Sequence, residues 1–189
     1  MILIQRYQIA NSMNMIYKNL IIFIICHFSF CCYAQKIEKE KSINRGKFPE
    51  KAIEYLNQEY SEMNRVKYYL EKTQDAIFYE SKFECKGDFF SVKFNDDGSL
   101  YDIEKLITEE EISESAQQKI KSRFDDDFIR WKIKKIQQRN YQGSLEYEIV
   151  VEGKKSKQIK TYEFHFSKSG NFLNQEEIES RFTDIIFFN

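Results

Sequence analysis

The 189-residue chain contains one proline and six glycines, too few for long loops, flexible linkers or a repeat built on turn dipeptides. Net charge is almost absent: 29 basic against 30 acidic residues leave −1 at neutral pH, with a pI of about 6.2. No electrostatic footprint for nucleic acid follows from that balance. Cysteine and histidine are scarce and unevenly placed. Three of the four cysteines (Cys26, Cys31, Cys32) and one of the two histidines (His27) fall in the first 34 residues. The rest of the chain holds Cys85 and His165 alone, which excludes an internal disulfide there and gives nucleophile–base catalysis little material. No phosphate loop or dinucleotide-binding glycine pattern occurs. The chain is therefore expected to use no cofactor and to be no enzyme.

What is present in quantity is core material, 17 Phe and 12 Tyr within a 42% hydrophobic composition, far more than a disordered chain carries. Residues 1–34 stand apart. They hold two basic residues, Arg6 and Lys18, no acid, and an apolar run from Leu20 to Phe30, followed by the small residues Cys32 and Ala34. A charged start, a short apolar stretch and a small-x-small exit describe a secretory signal peptide, with cleavage after Ala34. Lys18 and Lys36 bracket too few apolar residues for a membrane anchor, which needs about 20. None of the three cysteines follows the small residue that a lipid-attachment box requires. Met15 is an equally good start, since Met15 to Lys18 forms a complete charged region by itself. Without residues 1–34 the chain has 27 basic and 30 acidic residues, a net charge near −3.

Residues 35–47 are polar and read as a leader before the fold. Phe48-Pro49 opens a helix, where proline's missing N–H costs nothing, and Phe48, Ala52, Leu56 and Tyr60 form an apolar stripe at intervals of four. Period-two runs follow: Val66, Tyr68 and Leu70, then Ile77, Tyr79 and Phe83, then Phe90, Val92 and Phe94. Asn95-Asp96-Asp97-Gly98 is a strong turn signal, and Leu100 to Glu104 completes the meander. The pattern then restarts. Ile112, Ala116, Ile120 and Phe124 repeat the stripe 64 residues on, with Ser113 placed to cap the helix. Ile129, Trp131 and Ile133 alternate, as do Tyr147, Ile149 and Val151, and Tyr162 to Phe172 mirrors Phe90 to Leu100 with an offset of 72. The growing offset calls for longer strands or a longer hairpin around Gly153-Lys154-Lys155. Gln175 to Asn189 reads as a short closing helix. The division is 48–107 for the first repeat and 108–189 for the second with its tail.

Phe48-Pro49-x-x-Ala52, Val92 to Gly98 and Tyr162 to Phe166, taken in this order, resemble the PepSY-like group related to β-lactamase-inhibitor proteins. The resemblance runs from about Phe48 to Gln175. It implies an α+β fold of two tandem helix-plus-antiparallel-hairpin repeats, forming one curved antiparallel sheet with helices packed on one face. It also implies a non-catalytic, exported binding module of the periplasm or cell surface, an inhibitor or modulator of an envelope protein. A structural or accessory envelope protein without a discrete ligand is the alternative.

Residue by residue, chemistry is thin. An EF-hand counted from Lys93 puts Asn95, Asp97, Gly98 and Glu104 in acceptable places, but a cation occupies the position of the leading carboxylate. The segment reads as a hairpin turn, and Ser167-Lys168-Ser169-Gly170 makes the same turn without acids. No metal is expected. Glu109-Glu110-Glu111 sits where a helix dipole favours negative charge. Phe90, Val92, Phe94, Phe164 and Phe166 should face the helices, with Trp131 also in the core. The alternate positions then supply the binding candidates on the open face: Tyr69, Phe78, Lys93, Glu148, Glu163 and His165. The expected partner is another envelope protein or peptide, with no nucleic acid and no stable membrane span after signal cleavage.

Overall fold

The computed structural model describes residues 39–178 except residue 74. The expected signal peptide, its expected cleavage after Ala34 and the last eleven residues of the expected closing helix lie outside them. Nine strands form one antiparallel sheet whose spatial order is the order of the sequence. They are β1 (Lys39–Ile43), β2 (Met63–Lys72), β3 (Ile77–Cys85), β4 (Asp88–Asn95), β5 (Leu100–Leu106), β6 (Arg130–Tyr141), β7 (Ser144–Lys155), β8 (Gln158–Ser167) and β9 (Phe172–Ile178). Among the described residues there are two α-helices. α1 (Glu50–Glu59) lies between β1 and β2, and α2 (Glu114–Asp127) between β5 and β6. No helix in this region is long and apolar enough to cross a membrane.

This corrects the expected architecture of two helix-plus-hairpin repeats. Each helix is followed by four strands, and β5 pairs directly with β6, from Asp102 opposite Tyr141 to Leu106 opposite Gln137. The halves therefore share a single uninterrupted nine-stranded sheet, which dominates the structure. The physical reason is that an isolated hairpin is marginal in water, and three or more strands with an apolar face are needed for stability.

The helices form where the four-residue stripes stand. In α1, Ala52 and Leu56 are buried, with Phe48 and Tyr60 just beyond its ends. In α2 the buried set is Ala116, Ile120 and Phe124. Ser113 occupies the residue before α2, but its hydroxyl makes no capping bond. Each stripe meets the strand residues of its own half, producing two core clusters along one sheet. The first joins Phe48, Ala52 and Leu56 to Phe83, Cys85, Val92 and Phe94. The second joins Ala116, Ile120 and Phe124 to Tyr147, Ile149, Val151, Tyr162, Phe164 and Phe166. Phe124 shows how tight this is: its ring centroid lies 5.0 Å from Phe164, 5.7 Å from Phe166 and 5.2 Å from Trp131. Fully burying such a side chain stabilises the fold by about 1.5–3 kcal/mol. Trp131 is half-buried at the cluster's margin, with its indole N–H donating to Asp125 Oδ1 at 2.8 Å.

The two glycine turns have the same construction. Gly98 N–H donates to the Asn95 carbonyl at 2.9 Å, and Gly170 N–H to the Ser167 carbonyl at 2.8 Å. Both glycines have positive φ, 77° and 78°. Each presses on the first turn of its half's helix, so closely that a Cβ on Gly170 would stand 2.6 Å from the Ala116 carbonyl oxygen. The Asp97 carboxylate accepts from the Ser99 N–H at 2.8 Å, which is turn chemistry, as the sequence suggested.

Other expectations are revised. The supposed polar leader contributes β1, paired with β2, and a 3₁₀ turn at Arg45–Lys47. Gln175–Ile178, read as the start of a closing helix, belongs to β9, paired with β8. The hairpin expected around Gly153-Lys154-Lys155 is the β7–β8 hairpin, which turns at Ser156-Lys157 and pairs Gly153 with Lys160. Gly153 itself lies within strand β7, where a Cβ would stand 2.4 Å from the Phe128 ring. The larger offset of the second half comes from long strands, 12 residues each in β6 and β7. Ile129, expected to join the core alternation, is 72% exposed.

Candidate functional site

Because side chains alternate along a strand, burying Val92, Phe94, Phe164 and Phe166 in the helix-side cores sends their neighbours to the second face of the sheet. All six sequence-derived candidates lie there. Tyr69 stands opposite Glu80, Phe78 opposite Asn95, Lys93 opposite Glu80 and Asp102, and Glu148 opposite His165; Glu163 is two residues from His165 on the same strand. They do not form one patch. Tyr69, Phe78 and Lys93 belong to the β2–β4 end, and Glu148, Glu163 and His165 to the β7–β8 end.

What connects the two ends is a belt of charged side chains crossing the sheet. Lys82 pairs with Glu40 at 2.9 Å and Glu80 at 3.2 Å, and Lys93 with Glu71 at 2.9 Å. Ser91 donates its hydroxyl to Glu80. Arg139 brings two nitrogens to Asp102 Oδ2, at 2.8 and 2.6 Å. Gln137 donates to Glu104 at 2.9 Å, Lys135 lies 3.5 Å from Glu148, and His165 Nε2 lies 3.2 Å from Glu163. Glu71, Glu80, Asp102, Gln137, Glu148 and His165 are all buried. Buried charge is costly unless paired, and the belt is the pairing.

The pairing is uneven, and proton affinities follow it. Burial works against the Glu80 carboxylate, but Lys82, Lys93 and the Ser91 hydroxyl outweigh it and bring the pKa down to about 2. Burial, then the charge of Glu148, pushes Glu104 up to about 8. Burial and the charge of Glu104 push Asp102 up to about 6 in spite of Arg139. Burial, then Glu163, raises Glu148. Burial opposes a charged His165, but the bond to Glu163 and the charges of Glu148 and Glu163 raise its pKa. The middle of the belt is thus short of positive charge. Asp102 Oδ1 and Gln137 Oε1 are buried without a hydrogen-bond partner.

One margin of the belt is aromatic. The Phe78 ring lies 4.7 Å from Tyr101, and Tyr101 lies 5.2 Å from Tyr141, a ladder running across β3, β5 and β6. Lys93 Nζ stands 5.8 Å from the Phe78 ring and the Arg139 guanidinium 4.6 Å from Tyr141, both within cation–π range. At the β3 end the ladder borders a cleft of about 620 Å³ lined by Lys72, Thr73, Ile77, Phe78, Asn95 and Tyr101.

Sequence reading missed Asp102, Glu104, Lys135, Gln137, Arg139, Tyr101 and Tyr141. For β6 the cause is a bulge between Ile133 and Lys135. Period-two counting from Trp131 and Ile133 puts Lys135, Gln137 and Arg139 on the helix side; the extra residue moves them to the second face. Asp102 and Glu104 were within reach, since they alternate with Ile103.

No family model and no curated protein matches the chain. Solved structures show the fold. A candidate periplasmic protein from Bacteroides eggerthii superposes with a TM-score of 0.57 at 18% identity, over 73% of this chain and 94% of that one. A DUF2874 family protein from Bacteroides ovatus gives 0.56 at 14% identity, over 71% and 91%. A BLIP-like protein from Bacteroides fragilis gives 0.52 at 18% identity, over 70% and 89%. The fold is thus that of the BLIP-like and DUF2874 proteins. These likenesses do not extend to the PepSY-like label.

Proposed function

We propose that this chain is an exported, non-catalytic binding module that acts in the periplasm or at the cell surface, as a modulator or inhibitor of another envelope protein or peptide. The observation that carries the reading is the Phe78–Tyr101–Tyr141 ladder beside its cleft, with Lys93 and Arg139 against the outer rings. Aromatic rings supply large contact area at low conformational cost, and interface energy concentrates on such residues and on arginine. The ion pairs of Lys93 with Glu71 and of Arg139 with Asp102 anchor the cations, so the ladder is held before any partner arrives. Support for export comes from the charged-apolar-small pattern of residues 1–34 and from the periplasmic description of a structural neighbour. Kinship with the PepSY-like group is part of the same reading, supported by the doubled order of helix and strands.

The test is a saturation-binding measurement of the purified chain against fractionated envelope proteins, with a Tyr101→Ala/Tyr141→Ala double variant in parallel. A saturable partner whose affinity falls at least about tenfold, or 1.4 kcal/mol, in the double variant supports the reading. A partner bound equally by the variant would move the interface elsewhere. No saturable partner would overturn the proposal in favour of an accessory role without a discrete ligand.

A further inference from the structure

At the far end of the belt, β7 and β8 assemble three metal-ligating side chains. The ladder sets Glu148 opposite His165, and Glu163 lies two residues before His165 on the same face. One donor atom from each, two carboxylate oxygens and an imidazole nitrogen, lies within 4.8 Å of the others. A tetrahedral zinc site with bonds of 2.0–2.2 Å needs its donors roughly 3.4 Å apart, so closing this group takes movements of about an ångström. Glu148 and His165 are only 6% and 8% exposed and stand on paired strands, which limits their alternatives.

A second observation points to the same place. Gln137 on β6 stands directly opposite Glu148, on its other side from His165. It is 3% exposed, and its Oε1 is one of the buried oxygens without a hydrogen-bond partner. A carbonyl oxygen is satisfied equally by a proton donor or by a cation. Three adjacent strands thus direct two carboxylates, an imidazole and an amide to one side of the sheet.

We infer that Glu148, Glu163 and His165, with Gln137 beside them, form a binding site for a divalent transition-metal ion of the zinc class. The imidazole argues against calcium and magnesium, which take oxygen donors, and suits zinc and its neighbours. Charge is consistent with this. The two carboxylates stand diagonally on β7 and β8, with Lys135 Nζ 3.5 Å from Glu148. A dication would neutralise the pair. Lys135 partly offsets it without metal, so the metal-free chain can still fold. This inference is independent of the proposed partner at the aromatic ladder.

The experiment uses the full chain without a polyhistidine tag, stripped with a chelator and titrated calorimetrically with Zn²⁺. One equivalent should bind saturably, and His165→Gln and Glu148→Gln should each weaken binding by at least about tenfold. Glu54→Gln, an exposed acid on α1, should leave it unchanged. Co²⁺ added to the wild-type chain should give the intense visible bands of a tetrahedral nitrogen–oxygen site, a readout that survives if a variant fails to fold. Absence of saturable binding together with a Co²⁺ spectrum equal to that of the aqueous ion would overturn the inference. Undiminished affinity in a folded His165→Gln variant would do the same.

Discussion

Replacing Gly170 by alanine tests how the turns are fitted to the helices. Gly170 has φ of 78°, and a Cβ there would meet Ala116 O at 2.6 Å, Cα at 2.7 Å and the carbonyl carbon at 3.0 Å. These are backbone atoms in the first turn of α2, so no rotamer change relieves the clash. Positive φ costs an alanine about 1–2 kcal/mol, and forcing apart packed backbone adds about 1–3 kcal/mol. The restricted unfolded chain returns about 0.4–1 kcal/mol. Gly170→Ala should therefore destabilise by about 1.5–4 kcal/mol, a fall in Tm of roughly 3–16 °C at this size. Gly143 supplies the control, with φ of 80° and nothing within 4 Å of its imagined Cβ. Gly143→Ala carries the backbone term alone. The difference between the two variants in urea denaturation should be about 1–3 kcal/mol. A difference below about 0.5 kcal/mol, within the scatter of such comparisons, would refute the contact as the source of the cost.

Stability should decline as pH rises from 5 to 9. Glu104 and Asp102, raised to about 8 and about 6, bind protons more tightly folded than unfolded, so their stabilisation is complete below the unfolded values and is lost through 6 and then 8. Glu104→Gln should flatten the upper part of that slope and be more stable than wild type at pH 9 by at least about 1 kcal/mol; an unchanged slope by urea titration would contradict it. Glu80 acts oppositely, with its stabilisation lost as pH falls from 4.5 towards 2. Cys85 is buried in the first core, so a thiol reagent should label the native chain no faster than it opens, and rapid labelling would place it elsewhere. Phe124→Ala should cost about 3–5 kcal/mol by chemical denaturation, given its contacts with Phe164, Phe166 and Trp131.

The helix stripes and turns were legible because their signals are local. Phe48 to Tyr60, Ile112 to Phe124, and the turns ending at Gly98 and Gly170 each declare themselves within a dozen residues. The side of the sheet taken by Tyr69, Phe78, Lys93, Glu148, Glu163 and His165 followed from period-two counting against the phenylalanines. Two kinds of information were out of reach. A bulge adds one residue and reverses every later side chain, which hid Lys135, Gln137 and Arg139. One curved sheet was expected, but built of helix-plus-hairpin repeats; the chain instead places four strands after each helix and pairs β5 directly with β6 across the whole length of α2, which no local pattern announces. The polar segment at Lys39–Ile43 misled for a third reason. An edge strand rich in charge lacks the apolar alternation that announces a central one.

The strictly sequential strand order carries a consequence for how the chain comes to be folded. Every strand pairs only with its neighbours in sequence, so most pairings close a short turn, and only β1–β2 and β5–β6 close over a helix. Topologies of this kind fold quickly for their size. A chain delivered N-terminus first can lay down β1, α1 and β2 to β5 around the first core while the second half is still arriving. β6 then finds a finished edge at β5, and the sheet grows by addition, without waiting for its last strand to complete its first.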